Sequence, residues 1–158
     1  MDSPLPPAYR IDRYERRLSA NGDVFERAVG ALRGWKAHLG AGVEIVPYDA
    51  CVTVGETVLF VIKTAGFWAT APCRVVYVVE EPNQFRFAYG TLPGHPEQGE
   101  AAIIVERTEI GGVVFRILSF SRTVDPLARL GSPLTRLIQR RVTNRYVEAL
   151  AAASELAS

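Results

Sequence analysis

The sequence is poor in cysteine and histidine, with two of each in 158 residues. Cys51 and Cys73 are too few for the disulfide framework of a small secreted domain, which predicts a reduced, cytoplasmic setting. The cysteines and histidines also lack the close spacing that is typical of metal ligands. No glycine-rich phosphate-binding motif stands between a strand and a helix. The sequence therefore predicts neither a bound metal nor a cofactor.

The sequence also lacks a strong charge imbalance and a long apolar run. Its formal net charge is +1, which gives no electrostatic reason to expect a nucleic-acid partner. The apolar run Thr57–Ile62 stops at Lys63, so integral membrane association is not expected. The first seven residues have neither the basic nor the apolar part of a signal peptide. With 48% hydrophobic and 22% charged residues, we expect a single domain over 1–158 with a flexible tail at 1–8.

The order of the predicted elements indicates the fold class. A strand is expected over Tyr9–Leu18, and a helix begins at Asp23, where Glu26 would complete a capping box. A run of strands then precedes a C-terminal helix of about 20 residues, which starts at Ser132 and Pro133 and follows a single helical turn at Asp125–Pro126. The strands are expected at Val43–Val46, Thr57–Lys63, Trp68–Glu80, Phe85–Tyr89, Ala101–Thr108 and Val113–Arg122.

Antiparallel strands with helices on one face make an α+β domain. A curved antiparallel sheet wrapped around the long C-terminal helix can leave an internal cavity between the two. Such a cavity would be the natural ligand site.

The segment Gly90–Glu100 is the most informative stretch of the chain. It contains three glycines, two prolines, one histidine and two carboxylates, and it lies between two predicted strands. We expect a long, stiff connection here rather than a tight hairpin turn, and long ordered loops often carry function.

Two residues of this segment are catalytic candidates. His95 can serve as a general base or as a polar anchor at the mouth of the cavity, or its ring can hydrogen-bond the local backbone and hold the loop. Glu100, three residues after Glu97, can do acid–base work or pair with an arginine. Tyr89 ends an alternating strand just before the loop, so its hydroxyl is expected at the cavity opening.

Arg145 lies within the apolar arc of the C-terminal helix, about 20° from Leu134 on a helical wheel. Its guanidinium can hold a ligand carboxylate or phosphate, form a salt bridge with the sheet, or reach water past its apolar stem. Two tryptophans are candidates for the cavity wall, and two arginines lie at strand ends. The predicted ligand-binding set is Trp35, Trp68, Arg74, Tyr89, His95, Arg122 and Arg145.

A resemblance to a known family covers about residues 9–152. It is carried by Pro72–Val78, Phe87–Glu97, Gly99–Glu100, Phe120–Arg122 and Gln139–Arg141. These segments resemble the domain of unknown function 1990 family, also filed as uncharacterised protein family 0548. That family is related to the helix-grip superfamily, which includes lipid-transfer domains, polyketide cyclases and birch-pollen-allergen-like proteins. The resemblance implies a curved sheet that grips a C-terminal helix around an apolar cavity, and it assigns no catalytic residue.

Three functions fit the sequence. The first is binding of a small hydrophobic or amphipathic molecule in the cavity. The second is an enzyme, a cyclase, hydrolase or isomerase, that uses His95 or Glu100 as a base in the same cavity. The third is a structural module, for which side chains would fill the cavity. A homodimer is compatible with all three.

Overall fold

The computed structural model describes residues 9–18, 23–64, 66–124 and 132–155. The predicted tail at 1–8 and the predicted helical turn at Asp125–Pro126 lie outside the described residues. The described chain begins with an edge strand and ends with a long helix, as the sequence predicts.

Seven strands in the described ranges form one antiparallel sheet. They are β1 (Arg10–Leu18), β2 (Val43–Val46), β3 (Thr57–Thr64), β4 (Phe67–Glu81), β5 (Gln84–Thr91), β6 (Glu97–Arg107) and β7 (Val113–Thr123). Their spatial order is β1-β7-β6-β5-β4-β3-β2. The first strand along the chain therefore pairs with the last, and the remaining strands follow as a meander that curls into a half-barrel.

Within the described residues, three helices accompany the sheet: α1 (Val24–Arg33), α2 (Lys36–Gly40) and α3 (Ser132–Glu155). The predicted capping box is wrong, since the Asp23 side chain makes no cap hydrogen bond within the described structure. Glu26 instead forms an ion pair with Arg107 of β6. Among the described residues, no helix is both long enough and apolar enough to cross a membrane.

The core lies between the concave face of the sheet and α3. Alternate residues of the strands, such as Phe60, Phe87 and Phe115, are buried on this face. Tyr146 and Leu150 of α3 are buried against them. The predicted fold class is confirmed: a curved antiparallel sheet wraps around the C-terminal helix.

The helices α2 and α3 approach each other closely at Gly40. A Cβ on Gly40 would lie 2.5 Å from the Cβ of Ala149, which is closer than any real contact. Glycine therefore sets how near α2 lies to α3, and this places His38 of α2 beside the sheet.

The buried face of α3 differs from the predicted one. Tyr146, Leu150 and Ser154 are buried at a spacing of four residues, whereas Arg145 is exposed. At 100° per residue, Arg145 lies on the opposite side of α3 from the centre of that buried face. The predicted role of Arg145 inside a cavity is therefore corrected, because contact with the sheet fixes the rotation of α3. The side chains of Leu134 and Ile138 lie outside the described residues.

The connection between β5 and β6 is shorter than the sequence suggests. Strand β5 continues to Thr91 and β6 begins at Glu97, which leaves residues 92–96 as the connection. Gly90 pairs with Glu100 across the two strands. The expectation of a long loop is corrected, because the glycines at both of its ends take part in the sheet.

Candidate ligand pocket

A pocket of about 650 Å³ lies between the concave face of the sheet and α3. Its apolar walls come from strands β3 to β7 and from Val142 of α3. Two sets of its polar lining residues differ in charge, and we treat each set as one end of the pocket. The lining residues used below are Arg10, Asp12, Tyr14, His38, Phe60, Cys73, Tyr89, His95, Glu97, Gly99, Ala101 and Tyr146.

Three residues from separate elements meet at one end, which we call the inner end: His38 of α2, Tyr89 of β5 and Tyr146 of α3. The Tyr89 hydroxyl lies 3.4 Å from His38 Nε2, a long hydrogen-bond distance. The Tyr146 ring meets the His38 ring edge to face, with their centroids 4.5 Å apart. Phe60 stacks on the other side of His38 at 4.9 Å.

Two polar atoms at the inner end have no partner. His38 Nδ1 and Tyr146 Oη are buried and make no hydrogen bond to any described residue. A buried polar group without a partner costs about 1–3 kcal/mol, so such atoms are rare in folded proteins. They point to a partner that the described part of the chain does not supply.

All four titratable groups around the inner end are uncharged at neutral pH. Burial lowers the pKa of His38 to about 3 and raises that of the Cys73 thiol to about 12. Burial also raises the pKa values of Tyr89 and Tyr146 above that of a free phenol. The inner end therefore offers neutral hydrogen-bonding groups in apolar surroundings.

The other end, which we call the outer end, carries charged residues. Arg10 Nε lies 2.7 Å from the Asp12 carboxylate, and these side chains are 40% and 32% exposed. His95 and Glu97 line the same end. Charge and partial exposure place this end towards solvent, so the pocket is polar at the outer end and apolar within.

His95 hydrogen-bonds its own loop. Its Nδ1 accepts a hydrogen bond from the Glu97 backbone N–H at 2.9 Å. Burial lowers the pKa of His95, so the neutral ring carries its proton on Nε2. In this tautomer the pocket-lining ring is a hydrogen-bond donor, because its one lone pair is already engaged.

Three residues of the predicted binding set have side chains on the outer, convex face. Trp68 and Arg74 alternate with the pocket-lining residues of β4, and Trp68 is 57% exposed. Arg74 Nε donates to Thr57 Oγ1 at 3.2 Å. Arg122 donates to Gln98 Oε1 and lies over the Tyr9 ring. Strand alternation directs all three away from the pocket.

Two further predicted residues do not direct their side chains into the pocket, although Glu100 belongs to its lining. Trp35 is 2% exposed and packs behind His38, Phe60 and Tyr89. Glu100 alternates with Gly99 and Ala101, so its side chain is directed to the convex face. There its Oε1 is buried without a hydrogen bond from a described residue, and burial raises its pKa.

Tyr89 and His95 are thus the predicted binding residues whose side chains line the pocket, and the other pocket groups were missed. His38 was set aside for its lack of a metal-ligand spacing. A tyrosine on the apolar face of a helix, as Tyr146 is, ordinarily indicates core packing, and its hydroxyl is the one signal that could have revealed it. Arg10 and Asp12 were also missed. They line the pocket from β1, where they alternate with residues whose side chains point to the convex face. Within the described ranges, no three His, Cys, Asp or Glu residues are grouped to hold a metal ion.

Sequence comparison assigns the family. The model of the Domain of unknown function (DUF1990) matches residues 1–149. The chain belongs to this family. A UPF0548 protein of Deinococcus radiodurans is 32% identical to this DUF1990 chain, over 98% of the chain and 83% of the relative. A UPF0548 protein of Dictyostelium discoideum is 30% identical over 84% of the chain and 67% of the relative.

Solved structures share the fold of this DUF1990 member. A hypothetical protein from Helicobacter pylori superposes with a TM-score of 0.66 at 15% identity, covering 92% of this chain and 88% of the other. Norcoclaurine synthase from Thalictrum flavum, solved with dopamine and hydroxybenzaldehyde, gives 0.60 at 16% identity, covering 95% and 89%. Ara h 8.0201 gives 0.58 at 12% identity, covering 92% and 97%. The predicted relation to the birch-pollen-allergen-like fold is confirmed, and at these identities the likeness concerns the fold alone.

The buried His38 should make the stability of this DUF1990 protein depend on pH. The unfolded chain takes up a proton near pH 6.5, whereas folded His38 does so near pH 3. The contribution of neutral, buried His38 to the free energy of unfolding is therefore fully present above pH 6.5 and is lost as the pH is lowered towards 3. Between pH 7 and pH 5 we expect a loss of about 2 kcal/mol from this residue, measured by urea unfolding.

The variant His38→Phe should remove most of this loss. The control His95→Asn should keep it, since His95 is closer to the surface and its pKa is shifted less strongly. Parallel stability curves for the wild type and His38→Phe between pH 7 and pH 5 would contradict the assignment.

Proposed function

We propose that this protein binds a small hydrophobic or amphipathic molecule in the pocket between the sheet and α3. The observation that carries the proposal is the pairing of an unfilled volume of about 650 Å³ with buried polar atoms that have no hydrogen-bond partner among the described residues. A structural module would fill this space with side chains, since protein interiors are close-packed. Ligand pockets of this size are typically apolar with a few placed polar groups.

The shared fold supports the proposal. Norcoclaurine synthase, which has this fold, was solved with dopamine and hydroxybenzaldehyde, two small aromatic compounds. The aromatic rings at the inner end of the present pocket offer flat, apolar contacts to a compound of this kind.

Binding is favoured over the acid–base enzyme that the sequence also allowed. That enzyme needs His95 or Glu100 as a base inside the pocket. The Nδ1 lone pair of His95 accepts a backbone hydrogen bond, and the Glu100 side chain is directed to the convex face. Neither residue meets the requirement that a general base be within reach of the substrate proton.

Filling the pocket should abolish binding. Ala101 faces the pocket between Tyr89 and Ser119 on the neighbouring strands. The indole of Ala101→Trp would occupy the ligand volume, so we expect at least a tenfold loss of affinity for the neutral fluorescent probe N-phenyl-1-naphthylamine. The readout is probe fluorescence in a titration at pH 7.5.

The matched control is Leu118→Trp, which adds the same side chain on β7. Leu118 is 37% exposed on the convex face, so this variant should bind the probe as the wild type does. Absence of saturable probe binding to the wild type would contradict the proposal. So would equal affinity for the probe in the wild type and in a folded Ala101→Trp.

A further inference from the structure

The unpartnered atoms of the inner end indicate what kind of group a ligand places there. Tyr146 is 5% exposed, lines the pocket, and has a hydroxyl that bonds to no described residue. Its ring is fixed between Phe115, stacked at 6.0 Å, and His38. This packing holds the hydroxyl in place without giving it a partner.

Tyr89 and His38 are the other two residues with hydrogen-bonding groups at the inner end. Because His38 is neutral, either its Nε2 donates to the Tyr89 oxygen or the Tyr89 hydroxyl donates to Nε2. In both arrangements the Tyr146 O–H remains a free donor. In the first arrangement the Tyr89 O–H is free as well. A ligand atom at this position would therefore meet one or two phenolic donors.

No described ionised side chain compensates a charge at the inner end, where His38, Cys73, Tyr89 and Tyr146 are all neutral. An ionised carboxylate buried there would lose its hydration without gaining a cation. The charged residues Arg10, Asp12 and Glu97 lie at the outer end instead. An uncharged oxygen that accepts hydrogen bonds fits the inner end better than an anion does.

We propose that Tyr146, assisted by Tyr89, anchors the carbonyl oxygen of an uncharged aromatic ligand at the inner end of the pocket. This inference rests on the proposed function and specifies its ligand class as aromatic ketones and aldehydes. Phe60, which packs against Tyr89, and the ring of His38, which packs against both tyrosines, supply flat contacts for the aromatic body. Any charged part of the ligand would extend to the outer end.

The test uses three naphthalenes of nearly equal shape, each displacing N-phenyl-1-naphthylamine from the full-length protein at pH 7.5. These are 2-acetonaphthone, 2-isopropenylnaphthalene, in which CH₂ replaces the carbonyl oxygen, and 2-naphthoate. We expect the ketone to bind about fivefold more tightly than the hydrocarbon, the effect of one neutral hydrogen bond. We expect 2-naphthoate to bind at least tenfold more weakly than the ketone.

The variant Tyr146→Phe should remove the preference for the ketone over the hydrocarbon, measured as the ratio of their two affinities in the same variant. Tyr89→Phe should reduce the same preference in part. The control Tyr14→Phe removes a phenol from another pocket-lining position, on β1, and should leave the preference intact. Circular dichroism before each titration shows that the variant is folded.

The outcomes separate this inference from the proposed function. A probe that does not bind the wild type overturns both. Probe binding with equal affinities for the ketone and the hydrocarbon overturns the anchor and leaves the binding function standing. Tighter binding of 2-naphthoate than of the ketone also overturns the anchor, as does a preference that survives unchanged in folded Tyr146→Phe.

Discussion

Replacing Gly99 with alanine is expected to destabilise the protein by about 3 kcal/mol or more. A Cβ at this position would lie 2.0 Å from the carbonyl oxygen of Phe120 and 2.7 Å from the Cα of Ser121. Both atoms belong to the backbone of β7, so no side-chain rotation relieves the contact. Strands β6 and β7 would have to separate where they form the outer end of the pocket. Urea unfolding followed by circular dichroism measures the loss.

The matched control is Gly30→Ala in α1. A Cβ on Gly30 meets nothing within 4 Å, and Gly30 lies inside a helix. The same substitution should therefore stabilise the protein by about 0.5–1 kcal/mol. A loss below 1 kcal/mol for Gly99→Ala would show that β6 and β7 can move apart cheaply, contrary to the structure.

The variant Trp35→Ala is expected to cost about 3–5 kcal/mol of unfolding free energy. Trp35 is 2% exposed, and its indole N–H donates to the Ala50 carbonyl oxygen at 3.0 Å. Its ring packs against those of His38, Phe60, Phe87 and Tyr89. Removal of the ring leaves a cavity directly behind the inner end of the pocket, so probe affinity should fall as well. Chemical denaturation at pH 7.5 measures the loss of unfolding free energy.

The other tryptophan provides the comparison. Trp68 is 57% exposed on the convex face, where the Lys63 ammonium lies 5.4 Å from its ring centroid. Trp68→Ala should cost less than about 1 kcal/mol and leave probe affinity unchanged. Equal losses of stability in the two variants would contradict the different positions that the structure gives these residues.

The elements of the fold were predictable because local sequence encodes them. Helix α3 begins at Ser132, as the Ser-Pro pair predicts, and β2 spans Val43–Val46 as expected. The alternation of Phe85, Phe87 and Tyr89 correctly indicates a strand with one buried face. The resemblance to the DUF1990 family and the superfamily fold was likewise correct.

The face of the sheet to which an individual side chain points was harder to predict. A strand pattern shows which residues share a face, but not which face is concave. Strand β4 adds an irregularity between Val75 and Tyr77, which shifts the register against β5. Arg74, at a strand end, and Glu100, in the segment Gly90–Glu100, were predicted as site residues, although their strands direct them outward.

The sequence alone determined the order of strands and helices and the α+β class, because periodicity, turn residues and caps act over short stretches of chain. The resemblance of segments such as Phe87–Glu97 indicated the family. The tertiary structure decided which residues form the pocket. Packing against the sheet set the rotation of α3, burying Tyr146 and exposing Arg145. The close approach at Gly40 brought His38 beside it. These positions depend on contacts between residues about a hundred positions apart, which no local pattern records.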